Sequence, residues 1–152
     1  MPLVFAYGSL AGLPGRPATL RGFRRVWGVA MDNRVAIPGY KRYLDPVTRE
    51  PPPVHVAFVD LEPDRSAAVE GVLLDVDAPA LAALDDRERN YERVGVELDG
   101  GTRAFTYLGS ADGRARLREG RAAGTAVIAR SYLDAVSLPP DLPVADLLRV
   151  EL

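Results

Sequence analysis

Val94, Val96 and Leu98 alternate with polar residues as far as Asp99-Gly100-Gly101, and Arg103 to Leu108 runs back on the other side. Side chains on a strand point alternately to its two faces, so this pattern predicts a half-buried strand. The Gly-rich break predicts an antiparallel hairpin. The rest of the chain has the same character. Leu3 to Tyr7 is a short apolar run stopped by Gly8, which predicts a buried first strand feeding a tight turn. Gly12 to Pro17 reads as loop, and Val26 to Ala30 as a further strand. Asp32 to Pro53 carries turn signals at Pro38-Gly39, Asp45-Pro46 and Pro51-Pro52-Pro53. A long, proline-punctuated excursion of this kind often carries function. Val54 to Leu61 and Ala67 to Val76 are β-rich runs parted by Glu62-Pro63-Asp64, which predicts a second hairpin.

Helical signals are fewer. Asp77 offers an N-cap, Pro79 suits a first turn, and Leu81 and Leu84 begin an apolar stripe, so a helix is predicted from about Ala78 to Arg89. Two more are predicted at Asp112 to Ala122 and Ala129 to Val136, ahead of a proline-broken tail. Hairpins without regular strand-helix alternation point to an α+β fold on a mixed or barrel-like sheet. With no internal repeat and no linker, residues 1–152 are expected to form one domain.

Composition narrows the chemistry. No cysteine is present, which removes disulfides, thiolate metal sites and a cysteine nucleophile together. With one histidine, His55, and no spaced Asp cluster, no metal site and no cofactor are expected. Basic and acidic residues number 19 and 21, so no global field draws the chain to nucleic acid or anionic lipid, and a small near-neutral substrate fits better. Lys41 is the sole lysine, a bias that discounts arginine counts. Arg21, Arg24 and Arg25 cluster near Phe23 and Trp27, most simply as a solvated face. The amino terminus has no basic leader, and no stretch approaches the roughly 20 apolar residues of a membrane span. A soluble, cytoplasmic protein without a membrane partner is expected.

Two segments can carry catalysis. Residues 81, 84 and 88 share one helical face, so Glu88 should point inward with the leucines, losing solvation and gaining a raised pKa suited to proton transfer. The alternative is a glutamate that bends back to water or pairs with Arg87 or Arg93. The turn Tyr7-Gly8-Ser9-Leu10 follows a strand directly, and a glycine that lets the backbone reverse would let successive N–H groups converge on a carboxylate. The alternative is an ordinary turn. Ser9 as a nucleophile would need a base, and only His55 is available, with no Gly-x-Ser-x-Gly elbow.

Taken together, Tyr7-Gly8-Ser9-Leu10 after the first strand and Leu84-Asp85-Asp86-Arg87-Glu88 followed by Tyr91 and Arg93-Val94 resemble the gamma-glutamylcyclotransferase-like (AIG2-like, ChaC-like) family. Arg130-Ser131-Tyr132-Leu133 is similar to a late segment where relatives place a pocket tyrosine. The resemblance implies Glu88 as the acid/base and Tyr7, Gly8, Ser9, Leu10, Tyr91 and Tyr132 as substrate-binding residues. It also implies a gamma-glutamyl substrate converted, without cofactor, to 5-oxoproline and a free amine. Ala6 stands where glutathione-degrading relatives commonly carry glycine, which leaves the leaving amine open. Two other readings compete: a non-catalytic small-carboxylate-binding domain of the same fold, and an interaction module built on the arginines.

Overall fold

The computed structural model describes residues 1–152, and two very long strands organise it. In chain order the strands are β1 (Leu3–Ala6), β2 (Arg16–Asp32), β3 (Lys41–Leu44), β4 (His55–Asp75), β5 (Tyr91–Glu97), β6 (Arg103–Gly109), β7 (Ala126–Ala129), β8 (Val144–Ala145) and β9 (Leu148–Glu151). The helices are α1 (Ala78–Arg87), α2 (Ala111–Ala123) and α3 (Arg130–Val136). A 3-10 turn, Ser9–Gly12, follows β1. The result is an α+β fold on a mixed sheet, as the hairpin-rich pattern predicts. No helix is long and apolar enough to cross a membrane.

β4 is the hub. It runs antiparallel to β2 along nearly its whole length, from Asp32 opposite His55 to Arg16 opposite Leu73. On its other edge it has two successive neighbours: β7, parallel, at His55 and Val56, and β1, antiparallel, at Val72 to Asp75. The sheet continues outward through β6 and β5 on one side and β8 on the other. β4 is buried without interruption from His55 to Leu61, because strands and helices cover both of its faces there.

The second hairpin predicted at Glu62-Pro63-Asp64 does not exist. Arg21 pairs with Ala68 and Phe23 with Pro63, so residues 64–67 bulge from β4 opposite Gly22, at φ +88°, and the strand continues in the same direction. Pro63 is the last paired residue before the bulge, where the ladder is already ending. Since β2 spans both halves, there is no second arm for β4 to turn back onto. Other predicted boundaries shift similarly. The Gly12 to Pro17 loop ends where β2 begins at Arg16, and Val26 to Ala30 is only part of β2. The 32–53 excursion contains β3, which pairs with β9 in the proline-broken tail. Ala129 closes β7 and caps α3 instead of opening the helix.

Asp60 fastens the hub to its surroundings. Its carboxylate, 3 % exposed, accepts from the Leu61 and Gly109 N–H groups at 2.7 and 2.8 Å and pairs with Arg114 at 3.1 Å. Asp60→Ala leaves both donors unsatisfied and Arg114 without its partner. We expect a loss of about 3 kcal/mol, or roughly 6–12 °C in melting temperature by circular dichroism.

Candidate active site

Apolar packing brings α1 to the turn after β1. Leu81 is buried with Val4, Ala6, Leu10, Leu74 and Tyr107, and Leu84 packs against the same cluster. The helix starts where the Asp77 side chain accepts from the Ala80 N–H at 2.8 Å. It ends at Arg87, two residues short of the predicted boundary, and Glu88 is its C-cap, at φ −89° and ψ 57°. The Glu88 N–H still bonds the Leu84 carbonyl at 2.8 Å, so the residue keeps the inward direction of the leucine stripe although it has left the helix. A polar chain adds to the apolar contact: the Tyr7 hydroxyl donates to the Tyr107 carbonyl, and the Tyr107 hydroxyl donates to Asp85 at 2.7 Å. Arg93 stands 3.5 Å from the other Asp85 oxygen. β1, β6, α1 and β5 are thereby tied together within a turn of Glu88.

The turn itself is not a left-handed glycine turn. Gly8 has φ −114°, and the chain reverses through the 3-10 turn, closed by an Ala11 N–H to Gly8 carbonyl bond of 3.0 Å. The missing side chain matters for space instead. A Cβ on Gly8 would come within 3.5 Å of the Tyr132 hydroxyl, in the pocket. That pocket, whose empty space together with the adjoining open solvent comes to about 510 Å³, is lined by Phe5 to Leu10 on one side and by Arg87, Glu88 and Tyr91 on another. Lys41, Phe58, Val59, Tyr107 and Tyr132 complete it.

The pocket occupies the stretch of β4 edge between β7 and β1. Val59 lies there, its backbone groups facing away from β2, and two tyrosines replace the missing strand. The Tyr91 hydroxyl donates to the Val59 carbonyl at 2.6 Å, and the Val59 N–H donates to the Tyr132 hydroxyl at 3.1 Å. Tyr132 is wedged edge-on against Phe58 and Trp27, with centroids 5.1 and 5.9 Å away. Burial raises the pKa of Tyr7, Tyr91 and Tyr132 above the ordinary tyrosine value, so all three stay protonated. Tyr7 and Tyr91 spend their protons on carbonyls. Tyr132 accepts from Val59, which leaves its O–H for Tyr91 or a bound molecule.

The Glu88 carboxylate, 16 % exposed, makes no hydrogen bond, and its one charged neighbour within 4.0 Å is the half-exposed Arg87. Burial raises its pKa, against the opposing pull of Lys41, Arg87 and Arg149. Burial likewise lowers the Lys41 pKa to about 8, with Arg149 pushing the same way and Glu88 opposing. A poorly solvated carboxylate without a fixed partner, beside tyrosine hydroxyls, is equipped to take and return a proton. No group of three or more His, Cys, Asp or Glu is placed to hold a metal ion.

A sequence profile of the family described as gamma-glutamyl cyclotransferase, AIG2-like, matches residues 4–123. The chain belongs to that family. No curated protein matches it. Among solved structures, a yeast gamma-glutamyl cyclotransferase specific to glutathione shares 16% identity over 75% of this chain and 71% of its own, with a TM-score of 0.51. A protein of Arabidopsis thaliana shares 21% identity over 73% and 70%, at 0.44. An uncharacterised human protein shares 15% over 95% and 93%, at 0.46. The yeast structure supports the gamma-glutamyl cyclotransferase fold.

Within this AIG2-like chain, all seven residues singled out in the sequence, Tyr7, Gly8, Ser9, Leu10, Glu88, Tyr91 and Tyr132, line one pocket. Lys41, Phe58, Arg87 and Tyr107 also line it and were not found by sequence reasoning. Lys41 had a signal, as the sole lysine, two residues after Pro38-Gly39 in a suspect excursion. Tyr107 had none beyond its place on a strand. The arginines near Trp27 are structural: Arg21 pairs with Asp99 at 2.8 Å, Arg24 with Glu62, and Arg25 donates to the Tyr7 and Val136 carbonyls. They form no free cationic face.

A raised Glu88 pKa makes a proton on this group stabilising. Its contribution is complete below the ordinary value of 4.5 and is lost as pH rises through the higher folded value. Glu88→Gln escapes that loss. Its melting temperature is expected to gain on the wild type as pH rises from about 4 to about 7, whereas a Glu88 held by a structural ion pair would give the opposite trend.

Proposed function

We propose that this protein is a gamma-glutamyl cyclotransferase that releases 5-oxoproline and a free amine from a gamma-glutamyl amide or peptide, with Glu88 as acid/base. One observation carries the reading: a hydrogen-bond-free carboxylate and the Tyr7 to Leu10 turn, some eighty residues apart, line a single pocket. Family membership supports it.

In the proposed reaction Glu88 takes a proton from the substrate α-ammonium. The freed amine attacks its own side-chain amide carbonyl, forming the ring C–N bond. As the tetrahedral centre collapses, the original C–N bond breaks, Glu88 returns its proton to the departing nitrogen and then relays the surplus proton of the ring nitrogen, so the amine leaves as an ammonium ion. Every atom of the products comes from the substrate. Attack is intramolecular, so a pocket that folds the glutamyl chain into a near-attack shape supplies much of the acceleration, and no enzyme nucleophile is required. The first N–H groups of a 3-10 turn have no partner within it, and the residues Gly8 to Leu10 line the pocket. They are suited to a substrate carboxylate or to the oxyanion. The Tyr132 hydroxyl is a further donor.

Glu88→Gln keeps size and polarity but cannot exchange a proton. Turnover, read as 5-oxoproline released from a panel of gamma-glutamyl compounds, is expected to fall by about a hundredfold or more with the melting temperature kept or raised. A folded variant that is fully active would sink the assignment. Gly8→Ala places a methyl between the turn and Tyr132. It should leave folding intact and cut kcat/KM by about tenfold or more by misplacing the glutamyl chain.

A further inference from the structure

Lys41 and Arg87 are the charged groups of the pocket that the reaction above leaves without a task, and Lys41 is the less exposed of the two. It comes from β3, inside the long excursion, and its position is tightly fixed. The Lys41 backbone lies opposite Glu151 of β9 in the strand register, and the Tyr40 carbonyl accepts from the Leu152 N–H at 2.9 Å. The fully buried Asn33 side chain holds the other end of β3, bonding both the N–H and the carbonyl of Tyr43 at 3.0 and 2.9 Å. The Tyr40 hydroxyl accepts from Asn90 at 3.0 Å.

This much scaffolding delivers an ammonium group that has no anion. Lys41 takes part in none of the protein's ion pairs or side-chain hydrogen bonds. Its Nζ lies 3.9 Å from the centroid of the buried Phe58 ring and 5.3 Å from that of Tyr40. Glu88 faces it across the pocket without closing to within 4.0 Å, and Arg149 is committed to Glu151 at 2.7 Å. A cation drawn out of water to rest on two aromatic faces lacks the hydrogen bonds that ordinarily compensate its burial.

We propose that Lys41 binds the α-carboxylate of the substrate's glutamyl head, so that Glu88 and Lys41 together recognise the two charges of an α-amino acid. The assignment rests on the cyclotransferase reading for the identity of the head group. The α-ammonium and α-carboxylate of a glutamyl residue sit on one carbon, and the pocket offers Glu88 and Lys41, an anion and a cation that are not paired with each other. Lys41 serves the head and not the leaving amine because it is inside, over Phe58. Arg87, with 45 % of its side chain exposed, is the cation nearer the solvent side, where the departing group must exit. With the carboxylate on Lys41, the N–H groups of the Gly8 to Leu10 turn are free for the oxyanion that develops on the side-chain carbonyl.

The test compares 5-oxoproline with 2-pyrrolidinone, the same lactam without the carboxylate, by titration calorimetry on wild type and Lys41→Met, whose stem keeps the packing on Phe58 and Tyr40. Wild type should prefer 5-oxoproline by about thirtyfold or more, and Lys41→Met should erase that preference while binding 2-pyrrolidinone within about twofold of wild type. Lys41→Arg, which keeps the charge, should retain part of it and guards against a misfolded methionine variant. A wild type indifferent to the carboxylate, a folded Lys41→Met that keeps the preference, or equal loss of both ligands overturns the assignment. A lysine that only tunes Glu88 gives the second of these results. Wild-type release of 5-oxoproline from gamma-glutamyl compounds separates the two claims. Turnover with a Lys41-independent preference defeats the carboxylate assignment alone, and a Lys41-dependent preference without turnover defeats the catalytic reading alone.

Discussion

A strand that changes neighbours along one edge leaves backbone groups without a ladder, and the pocket is built on those that β4 leaves at Val59. β7 covers the edge at residues 55 and 56, and β1 covers it from residue 72. Between them a buried peptide must find partners or cost roughly 1–3 kcal/mol for each unmet group. Tyr91 and Tyr132 meet both groups, and in doing so project two aromatic rings and a hydroxyl into the space that a strand would have filled. The cavity and its polar lining thus have one origin. It also explains why the tyrosines come from distant elements, β5 and α3, each packed near the gap.

Placing Glu88 is a second, separable problem. The leucines of α1 give the helix a side to bury, but apolar packing is non-directional and would tolerate sliding. The chain from Tyr7 through Tyr107 to Asp85 fixes the helix along its axis by directional bonds, and Arg93 anchors Asp85 from β5. Glu88 follows the last helical residue, so its backbone direction is set one step beyond that fixed frame. The carboxylate then pays no attention to a structural partner: Arg93 is taken by Asp85, and Arg87 stays at 4.0 Å near solvent. Its raised pKa and the lowered pKa of Lys41 have the same first cause, removal from water, and each partly relieves the other.

The sequence by itself determined the local elements whose signals are local. The 94–108 hairpin has its Asp-Gly-Gly turn, and α1 has its Asp77 cap and leucine stripe. It also determined the chemistry available, since a chain without cysteine and with one histidine leaves carboxylates, tyrosines and backbone groups to act. Tertiary structure decided what depends on distant partners. Glu62-Pro63-Asp64 has every mark of a turn and instead leads into a bulge, because β2 is long enough to pair on both sides of it. Lys41, the sole lysine, becomes a half-buried cation of the pocket wall because β9, a hundred residues later, and Asn33 hold β3 against the pocket. Tyr107 gains its role from a helix residue that no spacing rule links to it. Hydrophobic period and turn chemistry are written within a few residues, whereas desolvation and hydrogen-bond partnership exist only once remote segments share one low-dielectric space.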